Sequence, residues 1–435
     1  MKFAKLSIAA LAVVGFSSSA VALDMSGVTV KPYVKTKLYY ETKSVDSQVN
    51  ANDTDFFAKD PFGNSSGQAM VTAGITGALD SCWGYGFEYN IVDTLGLENN
   101  LVSNTRMGWG RESQNEIATG GGTLPEIVAG AVDTQDWASQ AYVTYSACGT
   151  ILSNTTFKIG RQFLDTPLAF TEKWNLAPNS FDAVVAINQD IKNVTLVGAY
   201  IGKGNGVYGR VTNGDRFESY GSGKGAYAVG ALTNLIDGLP INAWYYELPS
   251  LATAVWADAG YTLKVADDMS FGLGAQYGLI NPSDTAYNGV DDTSGYGVKI
   301  GGKISMFDVM AAYTSMDDKG AVALANTATM KSLKGKKTKL YTAGIYTDGA
   351  HVGMPGSDAM KFKASAKVDG IGKFIVQYIN NENKGNNLLD VDEIDVILAT
   401  KLAGIGAKII YMNRDYDQAS ENDSQHIRVI LSKDF

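Results

Sequence analysis

Apolar and polar residues alternate with a period of two along most of this chain. Val28, Val30, Pro32, Val34, Thr36, Leu38 and Tyr40 fall on one side of such a stretch, with Lys31, Lys35 and Lys37 on the other. Trp83, Tyr85, Phe87, Tyr89 and Ile91 oppose Gly84, Gly86, Glu88 and Asn90, and Met360, Phe362, Ala364, Ala366 and Val368 oppose Lys361, Lys363, Ser365 and Lys367. Alternation of this kind, bounded by Gly, Asp and Asn turns, marks strands with two unlike faces. One face here is greasy with aromatic ends, and the other is small, polar or cationic. The rhythm predicts nineteen strands, near residues 28–42, 66–79, 83–94, 135–147, 151–162, 181–189, 192–202, 224–234, 240–248, 251–263, 268–279, 294–304, 306–315, 337–347, 359–368, 372–381, 390–402, 405–414 and 425–435. A single-chain bacterial barrel takes an even number. The parity breaks between Thr314 and Ala359, where two long polar segments flank one strand, so eighteen is expected and sixteen is the alternative.

The connections alternate in length. Segments 43–65, 95–134, 163–180 and 203–223 are long, while 80–82, 148–150, 190–191 and 235–239 are short. Long external loops facing short periplasmic turns are the habit of transmembrane barrels. The stretch from Phe157 to Val184 stands out. It starts as a strand, breaks at Asp165-Thr166-Pro167, loses the strand period for about a dozen residues and resumes at Phe181. This third long loop is where function is expected.

The first residues change the compartment. Lys2 and Lys5 precede an apolar run from Leu6 to Phe16, then three serines and Ala20-Val21-Ala22. That is a secretory signal peptide over 1–22, too short to span a bilayer as a helix, leaving residues 23–435 as one domain. The net charge of -9 becomes two units more negative once Lys2 and Lys5 leave. An acidic chain argues against a nucleic-acid partner, since phosphate binding wants a basic face. There are 48 Gly and 23 Tyr but only 2 Cys, and the mean hydropathy is near zero, as expected when half of each strand meets lipid. Export permits a disulfide between Cys82 and Cys148, which lie in short turns on the same rim, one hairpin apart; two free thiols are the alternative. The last strand alternates Ile427, Val429, Leu431 and Lys433 up to a terminal Phe435, an aromatic end that suits an outer-membrane barrel.

GRQ at 160–162, DTPLA at 165–169, PNSFDA at 178–183, INQDI at 187–191 and AYIGKGNG at 199–206 resemble the OprD-like branch of outer-membrane porins, and the related major porins. The resemblance is loose over most of the chain after residue 22 and most specific over 157–206. It implies an eighteen-stranded barrel whose third loop folds inward to narrow the pore, often in a homotrimer, passing small hydrophilic solutes passively. Some members of the family prefer carboxylate-bearing solutes along a ladder of basic wall residues. With only seven Arg in the sequence, an arginine-rich ladder is thin.

The pore chemistry can be reasoned without the family. If the greasy face meets lipid, the lumen receives Lys35, Lys37, Lys158, Lys299, Lys303, Lys361, Lys363, Lys367 and Arg428, with Gln162 beside them. Strand acids on that side are chiefly Glu88, Glu393, Asp395 and Asp434. An inward loop carrying Asp165, Glu172 and Asp182, with Lys173 and Arg161, would set a transverse field across the narrow point and select ions by charge. The bland reading of any one lysine is a solvated residue in a wet channel. By strict alternation Arg161 shares the lipid side of Phe157 and Ile159; the inward reading preferred here requires the strand to end or bulge at that point.

Enzyme signals are poor. Gly63-Asn64-Ser65-Ser66-Gly67 matches G-x-S-x-G, but that motif needs a strand-to-helix elbow, and here it lies in a Gly/Asn/Ser loop. His351 and His426 are the only imidazoles, and neither has a neighbouring carboxylate pattern. The glycine runs 202–206 and 221–225 open no helix, and the acidic loop 284–292 lacks the ordered spacing of a calcium site. The reading is therefore an all-β transmembrane barrel in the outer membrane, with lipid and small solutes as partners, no cofactor, no metal and no turnover. Its rivals are an outer-membrane hydrolase using Ser65 and a surface adhesin using loops 95–134 and 316–336.

Overall fold

The computed structural model describes residues 23–25, 28–46, 55–57, 65–93, 135–148, 152–174, 176–205, 217–285, 287–327, 337–418 and 422–435. Twenty strands occur among them, two of which, Leu23–Met25 and Glu218–Ser219, are short additions. The other eighteen are numbered here in chain order. The first six are β1 Val28–Asp46, β2 Ser65–Ala78, β3 Trp83–Asp93, β4 Gln135–Ser146, β5 Thr155–Gln162 and β6 Phe181–Asn188. Then come β7 Val194–Gly204, β8 Ala226–Ile236, β9 Leu239–Leu248, β10 Ala252–Ala266, β11 Met269–Pro282 and β12 Thr293–Ile304. The last are β13 Phe307–Met316, β14 Ser357–Val368, β15 Gly372–Asn383, β16 Val391–Leu402, β17 Ile405–Tyr416 and β18 Asp423–Asp434.

Each strand pairs antiparallel with its chain neighbours, and β18 returns to β1 with Arg428 opposite Glu41 and Asp434 opposite Lys35. The sheet is a closed barrel. Closure answers a physical demand, because an unpaired backbone N–H or C=O in hydrocarbon finds no water to bond. The expected eighteen strands are all present, and the surplus one, 337–347, is irregular chain between β13 and β14. Its polar groups bond to wall side chains instead of a ladder: Ala343 C=O accepts from Lys361 Nζ, and the N–H groups of 345–347 meet Glu393. The start of β5 also falls later than 151, because 152–154 form a turn closed by Thr155 N–H on Leu152 C=O.

The two faces of the wall differ as the alternation predicts. Phe87, Ile159, Val229, Leu273, Val298 and Phe362 point outward and are exposed. Their neighbours in register on the inner side include Glu88, Gln276, Lys361, Glu393 and Arg428, all buried. A barrel of this strand number leaves an interior wider than wall side chains can fill. Chain from two long connections packs against part of this inner face. Leu164, Leu168, Leu324, Leu340 and Val352 pack on Tyr246, Trp256, Ile280 and Ile379, which face inward from β9, β10, β11 and β15. Leu176 and Ala177 pack on Tyr39, Met70, Val92 and Trp137 from β1 to β4.

On the short-turn rim, Cys82 and Cys148 form a disulfide with Cα atoms 5.8 Å apart, stapling the turn after β2 to the one after β4. That separation suits the bond. The signal peptide expected over 1–22, the loop 95–134, and parts of loops 43–65 and 316–336 lie outside the described residues.

Candidate functional site

The segment between β5 and β6 makes its own hairpin before it meets anything else. Pro167 cannot donate to a ladder, and Thr166 closes the turn, its N–H and hydroxyl both reaching Ala169 C=O at 3.2 and 2.7 Å. Thr171 N–H bonds Leu164 C=O at 2.8 Å, and Asp165 pairs with Phe170 as an isolated bridge. This presents Leu164 and Leu168 to the apolar inner wall, where Leu168 N–H donates to Tyr246 OH at 3.2 Å. Further on, Leu176 C=O accepts from Lys37 Nζ at 3.0 Å on β1. One short segment thus touches inward side chains on well-separated strands.

The connection between β13 and β14 clasps that hairpin. The Asn326 amide bonds Phe170 twice, accepting from its N–H at 3.1 Å and donating to its C=O at 2.9 Å, and it also donates to Glu172 Oε1 at 3.0 Å. Thr327 N–H bonds Leu168 C=O at 2.7 Å. Lys339 Nζ meets Asp165 at 2.6 Å, and Lys337 Nζ lies 4.4 Å over the Trp174 ring.

The same connection is moored to the opposite wall by charge. The Glu393 carboxylate on β16 accepts from the N–H groups of Ile345 at 2.6 Å, Tyr346 at 3.1 Å and Thr347 at 2.6 Å. Tyr346 OH bonds Glu41 on β1, and Glu41 is held by Arg428 Nε at 2.9 Å and His426 Nδ1 at 3.0 Å. Asp348 pairs with Lys337 at 2.7 Å; burial raises its pKa above the ordinary aspartate range, against the pull of that lysine. His351 is buried and accepts from Arg414 Nη2 at 3.2 Å, so burial first, and the Arg414 charge second, lower its pKa to about 3. It stands neutral at ordinary pH.

A closed eighteen-strand barrel, apolar outside and charged within, has a counterpart among known proteins: the outer membrane porin profile of the OprD family matches residues 113–435. The chain belongs to the OprD family of outer membrane porins. It is similar in fold to OccK9 (OpdG) of Pseudomonas aeruginosa, with TM-score 0.72 and 12% identity over 93% of this chain and 98% of that one. OpdK of the same organism, solved with vanillate, gives TM-score 0.70 and 11% identity over 93% and 98%. OccD3 (OpdP) gives 0.64 and 13% over 96% and 93%. No curated protein matches the sequence. OprD-family porins are outer-membrane channels for passive diffusion of small solutes, and this chain is such a channel and not an enzyme. Ser65 opens strand β2 and is followed by strand, not helix, with its hydroxyl 2.8 Å from that of Thr42.

Within this porin the expected pore residues take unequal places. Arg161 does not point inward. β5 runs on through Gln162, so alternation holds, and Arg161 sits in register with Asp182 on the outward side of Ile159 and Val184. Its Nε is 2.8 Å from Asp182, and Phe217 stacks 3.4 Å over the guanidinium. Gly160 has φ +119°, and a Cβ there would stand 2.3 Å from Ala141 C=O, so this position before the arginine needs glycine. Asp182 therefore belongs to the wall exterior and leaves the loop acids as Asp165 and Glu172. Both have partners, Asp165 in Lys339 and Glu172 in Asn326 and Trp174 Nε1 at 3.0 Å. Lys173 is exposed.

The wall residues divide in the same way. Lys37, Lys361 and Arg428 bond the docked segments, and Lys299 lies 4.1 Å over Tyr341 of the second one. Gln162 is buried with its amide on the C=O groups of Lys158, Gly160 and Ala183. Lys35 meets Glu88 at 3.5 Å and Lys158 lies 3.8 Å over Tyr142. Lys303 and Lys367 are exposed near the short-turn rim. Sequence reasoning missed Glu41, Arg414, Lys408 and Asn326. The first three share the inward register of residues it did place, so alternation alone could have found them.

Proposed function

We propose that segments 163–180 and 317–356 together narrow the channel of this porin, and that its lumen favours small organic anions. The observation that carries the first part is the Asn326 amide, which clasps Phe170 and Glu172 of the other segment. The second part rests on which inner charges are already matched. Glu41 is matched by Arg428 and His426, Glu88 by Lys35 and Tyr33, and Glu393 by backbone N–H groups. Lys363 and Lys408 face the same interior from β14 and β17. Rings of cationic side chains select anions. OpdK was solved with vanillate, a small anion, and the same chemical class is proposed here.

Reversal potential across a salt gradient tests this. The parent channel in planar bilayers is expected to prefer anions, and Lys363→Glu with Lys408→Glu to shift that preference toward cations by several-fold. A cation-selective parent would sink the proposal. The homotrimer carried by the family resemblance is tested separately, by the mass of the detergent-solubilised protein, which reads one barrel or three.

A further inference from the structure

We propose that Glu393 is a built-in anionic ligand: three consecutive backbone N–H groups of the 317–356 segment form a carboxylate-binding nest, and the wall supplies the carboxylate. This rests on the reading that the segment narrows the channel, and it names the residue that positions it. The N–H groups of Ile345, Tyr346 and Thr347 converge on the two oxygens at 2.6 to 3.1 Å. Successive N–H groups aimed at one point make a concavity suited to an anion. Here the anion is a strand side chain that is fully buried, and a carboxylate taken out of water needs such donors. Beyond the nest its cationic neighbour is Arg414, with Nε at 3.9 Å.

The approach is built for closeness. A Cβ on Gly344 would stand 2.4 Å from Glu393 Oε1 and 3.1 Å from Ile379 Cδ1, so the turn reaches the carboxylate because residue 344 has no side chain. The contact is also backbone-directed. It fixes where residues 345–347 lie whatever their side chains are, which is what a mooring requires.

The nest makes a prediction that ordinary packing does not. Removing the carboxylate should leave an empty site that a small carboxylate from solution can fill. The full chain would be reconstituted in planar bilayers as parent, as Glu393→Ala, as Gly344→Ala, and with residues 322–352 replaced by a short Gly/Ser link. Heat-modifiable migration on gels confirms a folded barrel in each case. Glu393→Ala is expected to raise mean single-channel conductance about two-fold with added open-channel noise, and millimolar formate, against a chloride control of equal conductivity, to return it toward the parent. Gly344→Ala, which leaves the charge in place and pushes the turn away, is expected to match the raised conductance without the formate response. Raised conductance that formate leaves unchanged overturns the nest, as does a Glu393→Ala channel identical to the parent. If shortening 322–352 leaves conductance unchanged, the narrowing itself fails. If shortening raises it and Glu393→Ala does not, the role of Glu393 alone fails.

Discussion

The two docked segments solve the same problem with different chemistry. Segment 163–180 lies against wall that is largely apolar, through Leu164, Leu168, Leu176 and Ala177, with Tyr246 OH and Lys37 Nζ each making one backbone contact. Segment 317–356 shares that apolar cluster through Leu324 and Val352, but its far end is moored to Glu41, Glu393, Lys361 and Arg428. Apolar burial is non-directional and involves no titrating group. A buried carboxylate holds a segment only while its donors stay in place. The first segment is thus fixed by shape and the second by matched charge, and perturbing charge should move one before the other.

The largest difference should come from Glu41→Ala. Arg428 and His426 would then be buried without their carboxylate, and Tyr346 would lose its acceptor. Breaking a buried pair from one side costs about 3–5 kcal/mol, because a charge is left uncompensated. Urea unfolding of the reconstituted barrel is expected to show a loss of that size, and a probe on Tyr346 should become mobile while one on Leu168 stays still. Equal mobility at both sites would mean that the two moorings do not differ as described.

Acidification should act in the same direction and more gently. The folded segment keeps His351 neutral, with a pKa of about 3, while free chain protonates it near the usual 6.5. Below 6.5 the undocked state binds the proton and the docked one does not. Docking strength from this group is therefore complete above 6.5 and is lost as pH falls toward 3, at roughly 1.4 kcal/mol per pH unit. Asp348 opposes it, since a raised carboxyl pKa favours the folded, protonated form as pH falls. At pH 5 His351 by itself loosens the docked segment by about 2 kcal/mol, an upper bound that Asp348 reduces, seen as open-channel noise that rises between pH 7 and 5 and is absent in His351→Gln. Noise that is flat with pH in the parent would remove His351 from the mooring.

Much of this architecture was legible in the alternation, and the exceptions share a cause. The lipid-facing rows, the disulfide turns and the third loop follow from local periodicity, which needs no partner elsewhere in the chain. The stretch 337–347 was misread because KKTKLYTAGIY alternates as a strand does, while its backbone bonds run to Glu393 and Lys361 on distant strands. Asn326 gave no sign, since an amide that clasps a backbone 156 residues away looks like any loop asparagine. Arg161 was legible and was read the wrong way: strict alternation put it outside, and only an assumed break in the strand turned it inward. Glu41 shares the register of Lys35 and Lys37 yet was left out of the luminal strand acids, although the same alternation places it there.

The smallest effect should come from a solvent-exposed ion pair on the seam between the segments. Lys339 and Asp165 are 2.6 Å apart, but their side chains are 35% and 75% exposed. A solvated pair gains little, because water screens the attraction and two long side chains must be held still, so about 0–1 kcal/mol is typical. Lys339→Ala is expected to change unfolding by less than about 1 kcal/mol, and a double-mutant cycle with Asp165→Ala to give a coupling in the same range. A loss approaching that of Glu41→Ala would mean that the seam, too, is held by charge. With a small value, the seam is left to the Asn326 amide and the leucines around it, and the contrast between the segments becomes one of location: charge counts where the carboxylate is buried in the wall, and the same ion-pair chemistry in water holds almost nothing.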